Sequence, residues 1–166
     1  AIPEGFNKTI EVLTKQIKQF KVLFAPKTEA YKQVKGPIGI VDLTDLNSIK
    51  YAGINDENMM YAASLPKIAV LLAAMDAIEK GELEDSQEIQ DDMKLMISKS
   101  NNQATTRMID RVGYAKIEEV LRSPENELYD EETGGGLWVG KRYGGGGDTN
   151  REPLKQLSHA ATTKQV

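Results

Sequence analysis

The chain has no cysteine. Disulfides, thiolate catalysis and cysteine-ligated zinc are therefore excluded for these 166 residues. It has one histidine, His159, in a polar setting that suits a surface or capping residue. A histidine-based triad would have to use it. Long apolar runs are missing too. The longest, Ile68 to Met75, falls far short of the roughly 20 residues that a membrane-spanning helix needs. Nor is there an excess of positive charge. Twenty-one Lys and Arg against 25 Asp and Glu give a net charge of −4, which offers no reason to expect nucleic acid as a partner. The early lysines (Lys8, Lys15, Lys18, Lys21, Lys27, Lys32 and Lys35) read as the solvated face of a helix and its exit loop. Apolar residues make up 40% of the chain, enough for the core of one ordinary domain or of a piece of a larger one. The chain begins Ala1-Ile2-Pro3, without Met or a signal peptide, as a processed mature N-terminus or a trimmed chain would.

The most informative stretch is Tyr61-Ala62-Ala63-Ser64-Leu65-Pro66-Lys67, followed at once by the apolar run. Pro66 has its φ fixed near the helical value and lacks a donor, so it suits the first turn of a helix. Ser64 then falls at or near the N-cap, and Lys67 lies one turn further on the same face. A hydroxyl and an amine meet at the positive end of a helix whose body is expected to be buried. That arrangement suits a nucleophilic serine with a lysine as its base. It equally suits a capping serine beside an exposed lysine. The pattern occurs once here, about as often as chance would produce it.

Phe6, Ile10, Leu13, Ile17 and Phe20 recur at helical spacing and predict an amphipathic helix over 4–22. Ile38 to Leu43 and Ser48 to Ile54 predict an antiparallel hairpin, joined by Thr44-Asp45-Leu46-Asn47. Such a hairpin is marginal alone and needs further strands or a helix face. A helix from Ser64 to about Lys80 stops at Gly81. A second covers Leu83 to about Ser98, with Ile89, Met93, Met96 and Ile97 on one side. A third runs from Asn101 or Asn102 to Val112, closed by Gly113, and a fourth from Tyr114 to Arg122, stopped by Ser123-Pro124. Residues 124–150 read as a long loop with one apolar anchor, Leu137-Trp138-Val139. Its glycine-rich part, 134–147, lacks the Lys-Ser/Thr ending and preceding strand of a phosphate loop. Trp138 and Tyr143 suit either a cleft lining or a loop anchor. Thr162-Thr163 reads as the cap of a further helix.

A second polar cluster, Ser98-Lys99-Ser100-Asn101-Asn102-Gln103-Ala104-Thr105, joins two of these helices. Ser100 can pass protons between an attacking hydroxyl, a lysine and a leaving group. Asn102 can hold a substrate amide or orient Lys67. A plain helix cap and turn is the alternative.

Ser64-x-x-Lys67 followed by Ser100-x-Asn102 in an interhelical loop resembles the penicillin-recognising serine enzymes. These are the class A β-lactamases and the D-alanyl-D-alanine peptidases, or penicillin-binding proteins. The order of elements agrees, and the resemblance covers about residues 36–122 well. It implies an α/β (α+β) fold with a helical domain packed on an antiparallel sheet. The chain is then a single incomplete domain: 1–60 gives an N-terminal helix and strand hairpin, and 61–166 a mainly helical subdomain. It also implies a serine hydrolase that forms an acyl-enzyme with a β-lactam or a peptidoglycan-peptide-like amide or ester. A non-catalytic cell-envelope binding module that keeps the fold is the alternative. Ser64 would be the nucleophile with its own N–H in the oxyanion hole, Lys67 the base, Ser100 the relay and Asn102 the substrate or lysine contact. No metal or organic cofactor is implied. The expected location is extracellular or periplasmic.

The sequence departs from the family in three places. The spacing from Ser64 to Ser100 is short, and Asn101 replaces an Asp. The third family motif, Lys-Thr/Ser-Gly on a core strand, is absent from these residues. A C-terminal remainder or a second chain is expected to complete the sheet. Glu152-Pro153-Leu154-Lys155-Gln156 partly matches the segment whose glutamate activates the deacylating water. Glu152 otherwise reads as a helix-start acid.

Overall fold

A computed structural model describes residues 38–42 and 50–165. The chain opens there with strands β1 (Ile38–Asp42) and β2 (Lys50–Ile54), paired antiparallel with Ile38 opposite Ile54 and Asp42 opposite Lys50. The predicted hairpin is present. Its turn, and the helix predicted over 4–22, lie outside the described residues. Among those residues β1 and β2 pair only with each other, so the hairpin is not extended into a larger sheet.

Four helices follow: α1 (Lys67–Glu79), α2 (Gln87–Ser98), α3 (Asn102–Val112) and α4 (Tyr114–Arg122). Helix α1 is the centre of the core. Its buried face is made of Ala69, Val70, Ala73, Ala74 and Ala77. Small side chains there let the other helices approach, and the space is filled by Ile89 and Met96 of α2, Met108 and Ile109 of α3, and Ile117, Val120 and Leu121 of α4. The apolar run is not buried throughout, as the sequence suggested. Ile68 and Met75 are 46% and 56% exposed, because about 100° of rotation per residue carries them to the outer face. Ile97 of α2 is exposed for the same reason, one position beyond buried Met96.

Pro66 itself occupies the N-cap position of α1, with φ −65°, so Ser64 lies two residues before the cap in a turn. At the other end Gly81 has φ 72°, and Glu82 N–H donates to the Ala77 carbonyl at 2.8 Å. That left-handed closure suits a residue without Cβ. The Leu83 N–H also bonds Ala77, which delays α2 until Gln87 rather than Leu83. Helices α3 and α4 fall where their periodicity places them. Gly113 separates them at φ 81°, and Ser123 turns extended ahead of Pro124.

The segment expected to be a long loop holds three short strands, β4 (Tyr129–Asp130), β5 (Gly135–Gly136) and β6 (Trp138–Val139). Strands β4 and β5 pair antiparallel. At Gly136 a Cβ would stand 2.1 Å from the Leu128 carbonyl oxygen, so only glycine fits. Leu137, Trp138 and Val139 do anchor the segment, each almost fully buried. Strand β7 (His159–Ala161) lies between β3 (Met60–Tyr61) and β6, antiparallel to both, with Ala160 opposite Tyr61 on one side and Trp138 on the other. The expected helix cap at Thr162-Thr163 is therefore the exit of a strand, and residues 162–165 are not helical. No helix among the described residues is long and apolar enough to cross a membrane.

Candidate active site

Strand β3 delivers the chain to the turn before α1. The Ala62 N–H donates to the His159 carbonyl at 3.1 Å, which pins the strand end to β7. Ala63 then takes φ 48°, a left-handed conformation that costs a non-glycine residue about 1 kcal/mol or more. Leu65 N–H closes onto the Ala62 carbonyl and Lys67 N–H onto the Ser64 carbonyl. Ser64 is exposed on this turn. Neither its backbone N–H nor its hydroxyl has a partner among the described residues. It does not cap α1, whose N-terminus carries no side-chain capping bond.

Lys67 begins α1 and is only 2% exposed. Its Nζ donates to the Ser100 carbonyl at 2.5 Å, to Ser100 Oγ at 2.9 Å and to Asn102 Oδ1 at 2.8 Å. An ammonium has three protons, and each finds an oxygen. None of those oxygens is charged. Burial therefore pushes the Lys67 amine below its usual range without an opposing carboxylate. The simple reading of a capping serine with an exposed lysine is excluded by both facts. Ser100 and Asn102 are themselves exposed, so the buried amine is covered by two residues that reach solvent.

Ser100 and Asn102 are placed by the α2–α3 junction. Asn101 is the N-cap of α3, and its side chain accepts from Ala104 N–H at 2.8 Å. Thr105 Oγ1 donates to the Asn101 carbonyl at 2.7 Å. Ser100 has φ 51°, a second left-handed non-glycine residue. Strained backbone thus occurs both in the turn that carries Ser64 and at Ser100, which accepts from Lys67. Below the junction, buried Asp92 of α2 accepts from Arg107 Nε at 3.0 Å and from Arg111 Nη1 at 2.5 Å, both on α3. These hydrogen bonds, Arg107 first, hold the Asp92 carboxyl below the usual carboxylate range. They fix the two helices whose junction presents Ser100 and Asn102. Arg107 and Arg111 sit one turn apart, but nothing in the sequence names Asp92 as their partner.

Two further residues enter from the far part of the chain. Tyr143 lies with its ring centroid 4.8 Å from Lys67 Nζ, and its hydroxyl donates to the Ala63 carbonyl at 3.0 Å. Its ring stacks on His159 at 4.1 Å and 9°. His159 is no surface residue. It is fully buried, and both ring nitrogens lack a partner among the described residues. Burial, aided by the charges of Lys141 and Lys67, pushes its pKa down to about 4, so it is neutral at pH 7. A groove of about 520 Å³ is lined by Tyr143 together with, among others, Gln103, Thr106, Arg107, Arg142 and Gly144.

Glu152 is buried, but its carboxylate is engaged elsewhere. It accepts from the Tyr129 hydroxyl, from Leu154 N–H at 2.9 Å and from Lys155 N–H at 2.6 Å. It caps the turn at 153–155 rather than a helix start. No hydrogen bond joins it to Ser64, Lys67, Ser100 or Asn102 among the described residues. Trp138 is likewise core, not cleft. It tilts against Tyr129 at 4.6 Å and donates to the Asn150 carbonyl at 2.6 Å.

Residues 13–94 match the model of the beta-lactamase enzyme family. The matched segment includes Ser64 and Lys67; Ser100 and Asn102 lie just beyond it. No curated protein and no solved structure matches the chain.

Proposed function

We propose that this chain, whose N-terminal portion belongs to the penicillin-recognising serine hydrolase superfamily, forms an acyl-enzyme on Ser64 with a β-lactam or a peptidoglycan-peptide-like amide or ester. The observation that carries the reading is Lys67: a buried amine, three residues after an exposed serine, bonded to Ser100 Oγ and Asn102 Oδ1. Ser64 Oγ attacks the carbonyl carbon as Lys67, in its neutral form, takes the hydroxyl proton. The Ser64 N–H stabilises the oxyanion. Lys67 returns the proton through Ser100 Oγ to the leaving nitrogen or oxygen as its bond to carbon breaks. Water then cleaves the Ser64 ester and releases the acid. Asn102 holds Lys67 in line and offers its amide to the substrate.

Because Glu152 is tied to Tyr129 and the turn at 153–155, it does not serve as the base for that water. A β-lactam adduct should persist, and the activity should lie nearer a peptidase or esterase than an efficient β-lactamase. Substrates of this kind place the protein's work in the periplasm or outside the cell. The reading also requires the Lys-Thr/Ser-Gly strand from outside these 166 residues, so the test uses the full-length protein. Incubation with a penicillin or a fluorophosphonate, followed by peptide mass spectrometry, should give one adduct, on Ser64, and Ser64→Ala should remove it. No adduct, or one on another residue, sinks the nucleophile. If Ser64→Ala still binds the penicillin as well as the wild type, the protein is a binding module instead.

A further inference from the structure

We propose that Tyr143 is a positioning residue of this site: its hydroxyl sets the direction of the Ser64 N–H, and its ring sets the proton affinity of Lys67. The inference rests on the reading of Ser64 and Lys67 as nucleophile and base. Three observations on different atoms support it. The hydroxyl donates to the Ala63 carbonyl. That carbonyl and the Ser64 N–H belong to one peptide unit, which is planar and trans, so they point in opposite directions. Fixing the oxygen therefore fixes the N–H. The constraint is needed because Ala63 is left-handed at φ 48° and would otherwise relax, swinging that peptide.

The ring acts on Lys67. Its face lies 4.8 Å from Nζ, within the range where an aromatic quadrupole favours a cation. Burial works in the opposite direction on the same amine. Ser100 and Asn102, the other partners, are neutral, so the Tyr143 face is the one adjustable electrostatic partner described at Nζ. The same ring stacks on neutral, buried His159, and the Tyr143 carbonyl accepts from Thr106 Oγ1 of α3 at 2.8 Å. Ring, hydroxyl and backbone of Tyr143 are thus each held by a contact. Other titratable groups near the stack are Tyr61, whose ring is 6.3 Å from that of His159, Lys141, whose charge reaches His159, and Arg107, Asp110 and Arg142, which line the groove at Tyr143.

Neither arm of the test uses a substrate, so a missing Ser64 adduct would leave it intact. In the first, the full-length protein carries phenylalanine at position 143 with zero, one, two or more ring fluorines, which weaken the quadrupole at nearly constant size. The Lys67 titration is followed by NMR of lysine labelled at Cε, assigned with Lys67→Arg. The midpoint should fall with each fluorine, by about half a pH unit or more across the series. A flat series overturns the role of the ring, and a merely structural aromatic would give one. In the second, backbone hydrogen exchange is compared between wild type and Tyr143→Phe. The Leu65 and Lys67 amides of the Ser64 turn should exchange about tenfold faster while the α3 amides stay unchanged. Equal protection of Leu65 and Lys67 overturns the role of the hydroxyl.

Discussion

Lys67 and Lys116 are both buried lysines, 2% and 9% exposed, yet their proton affinities move in opposite directions. Lys116 of α4 sits among carboxylates: Asp76 at 2.7 Å, Glu82 at 2.8 Å and Glu119 at 3.3 Å. Those partners, Asp76 first, hold its ammonium well above the usual lysine range. Lys67 of α1 has as many oxygens around it, but they belong to a carbonyl, a hydroxyl and an amide. Burial then prevails and pushes it down. Hydrogen bonding alone does not decide a buried lysine's charge; the charge of its acceptors does. Lys116 is fit to tie α4 to α1 and never to accept a proton near neutral pH. Lys67 is fit to lose one.

The largest test of that contrast is to make both sites permanently cationic. Lys67→Arg should lower the rate of Ser64 labelling by about a thousandfold, the loss of a general base, because guanidinium does not deprotonate. Lys116→Arg should leave the labelling rate unchanged, measured with the same fluorophosphonate. Equal effects at the two positions would erase the distinction. A smaller change should turn one lysine into the other. Asn102→Asp puts a carboxylate where Lys67 now has an amide oxygen, and should raise its pKa by about one to three units. The base must be neutral to act, so the alkaline-rising limb of the labelling–pH profile should move to higher pH. A profile that stays in place would show that Lys67 is not the titrating base.

The smallest effect at neutral pH concerns the plate beneath Tyr143. His159→Phe keeps a ring in the stack and removes two unpartnered nitrogens, so stability at pH 7 should change by less than about 1 kcal/mol. The difference should appear in acid. The folded His159 pKa is about 4, against 6.5 unfolded, so the native state binds fewer protons between those values. Wild type should lose stability as pH falls through that window, and the variant should lose less. Thermal melts at pH 7, 5.5 and 4 read the gap. A gap that does not widen toward acid would mean that the imidazole is already charged or solvated.

Much of this was legible in the residues. Helices α3 and α4 came out at their boundaries because Gly113 and Ser123-Pro124 punctuate a clear 3.6-residue period. The β1–β2 hairpin followed from β-branched runs on either side of turn residues. The meeting of Lys67 with Ser100 and Asn102 was legible as well, through motif spacing rather than periodicity. The short strands after Arg122 were not, since two-residue pairings such as Tyr129–Asp130 with Gly135–Gly136 leave no periodic pattern.

The sequence alone determined which chemistry is available: one hydroxyl beside a helix-start lysine, a Ser-x-Asn motif, no thiol, and a single imidazole. Those are properties of residue type and local spacing. Only the tertiary structure decided how they are used. It buried Lys67 against uncharged oxygens, engaged Glu152 with Tyr129 and the turn at 153–155, and brought Tyr143, stacked on His159, over the amine from far along the chain. The reason is physical: proton affinity and peptide orientation depend on burial and on the charge of spatial neighbours. Chain folding, through β7 lying between β3 and β6, selects those neighbours without regard to sequence distance.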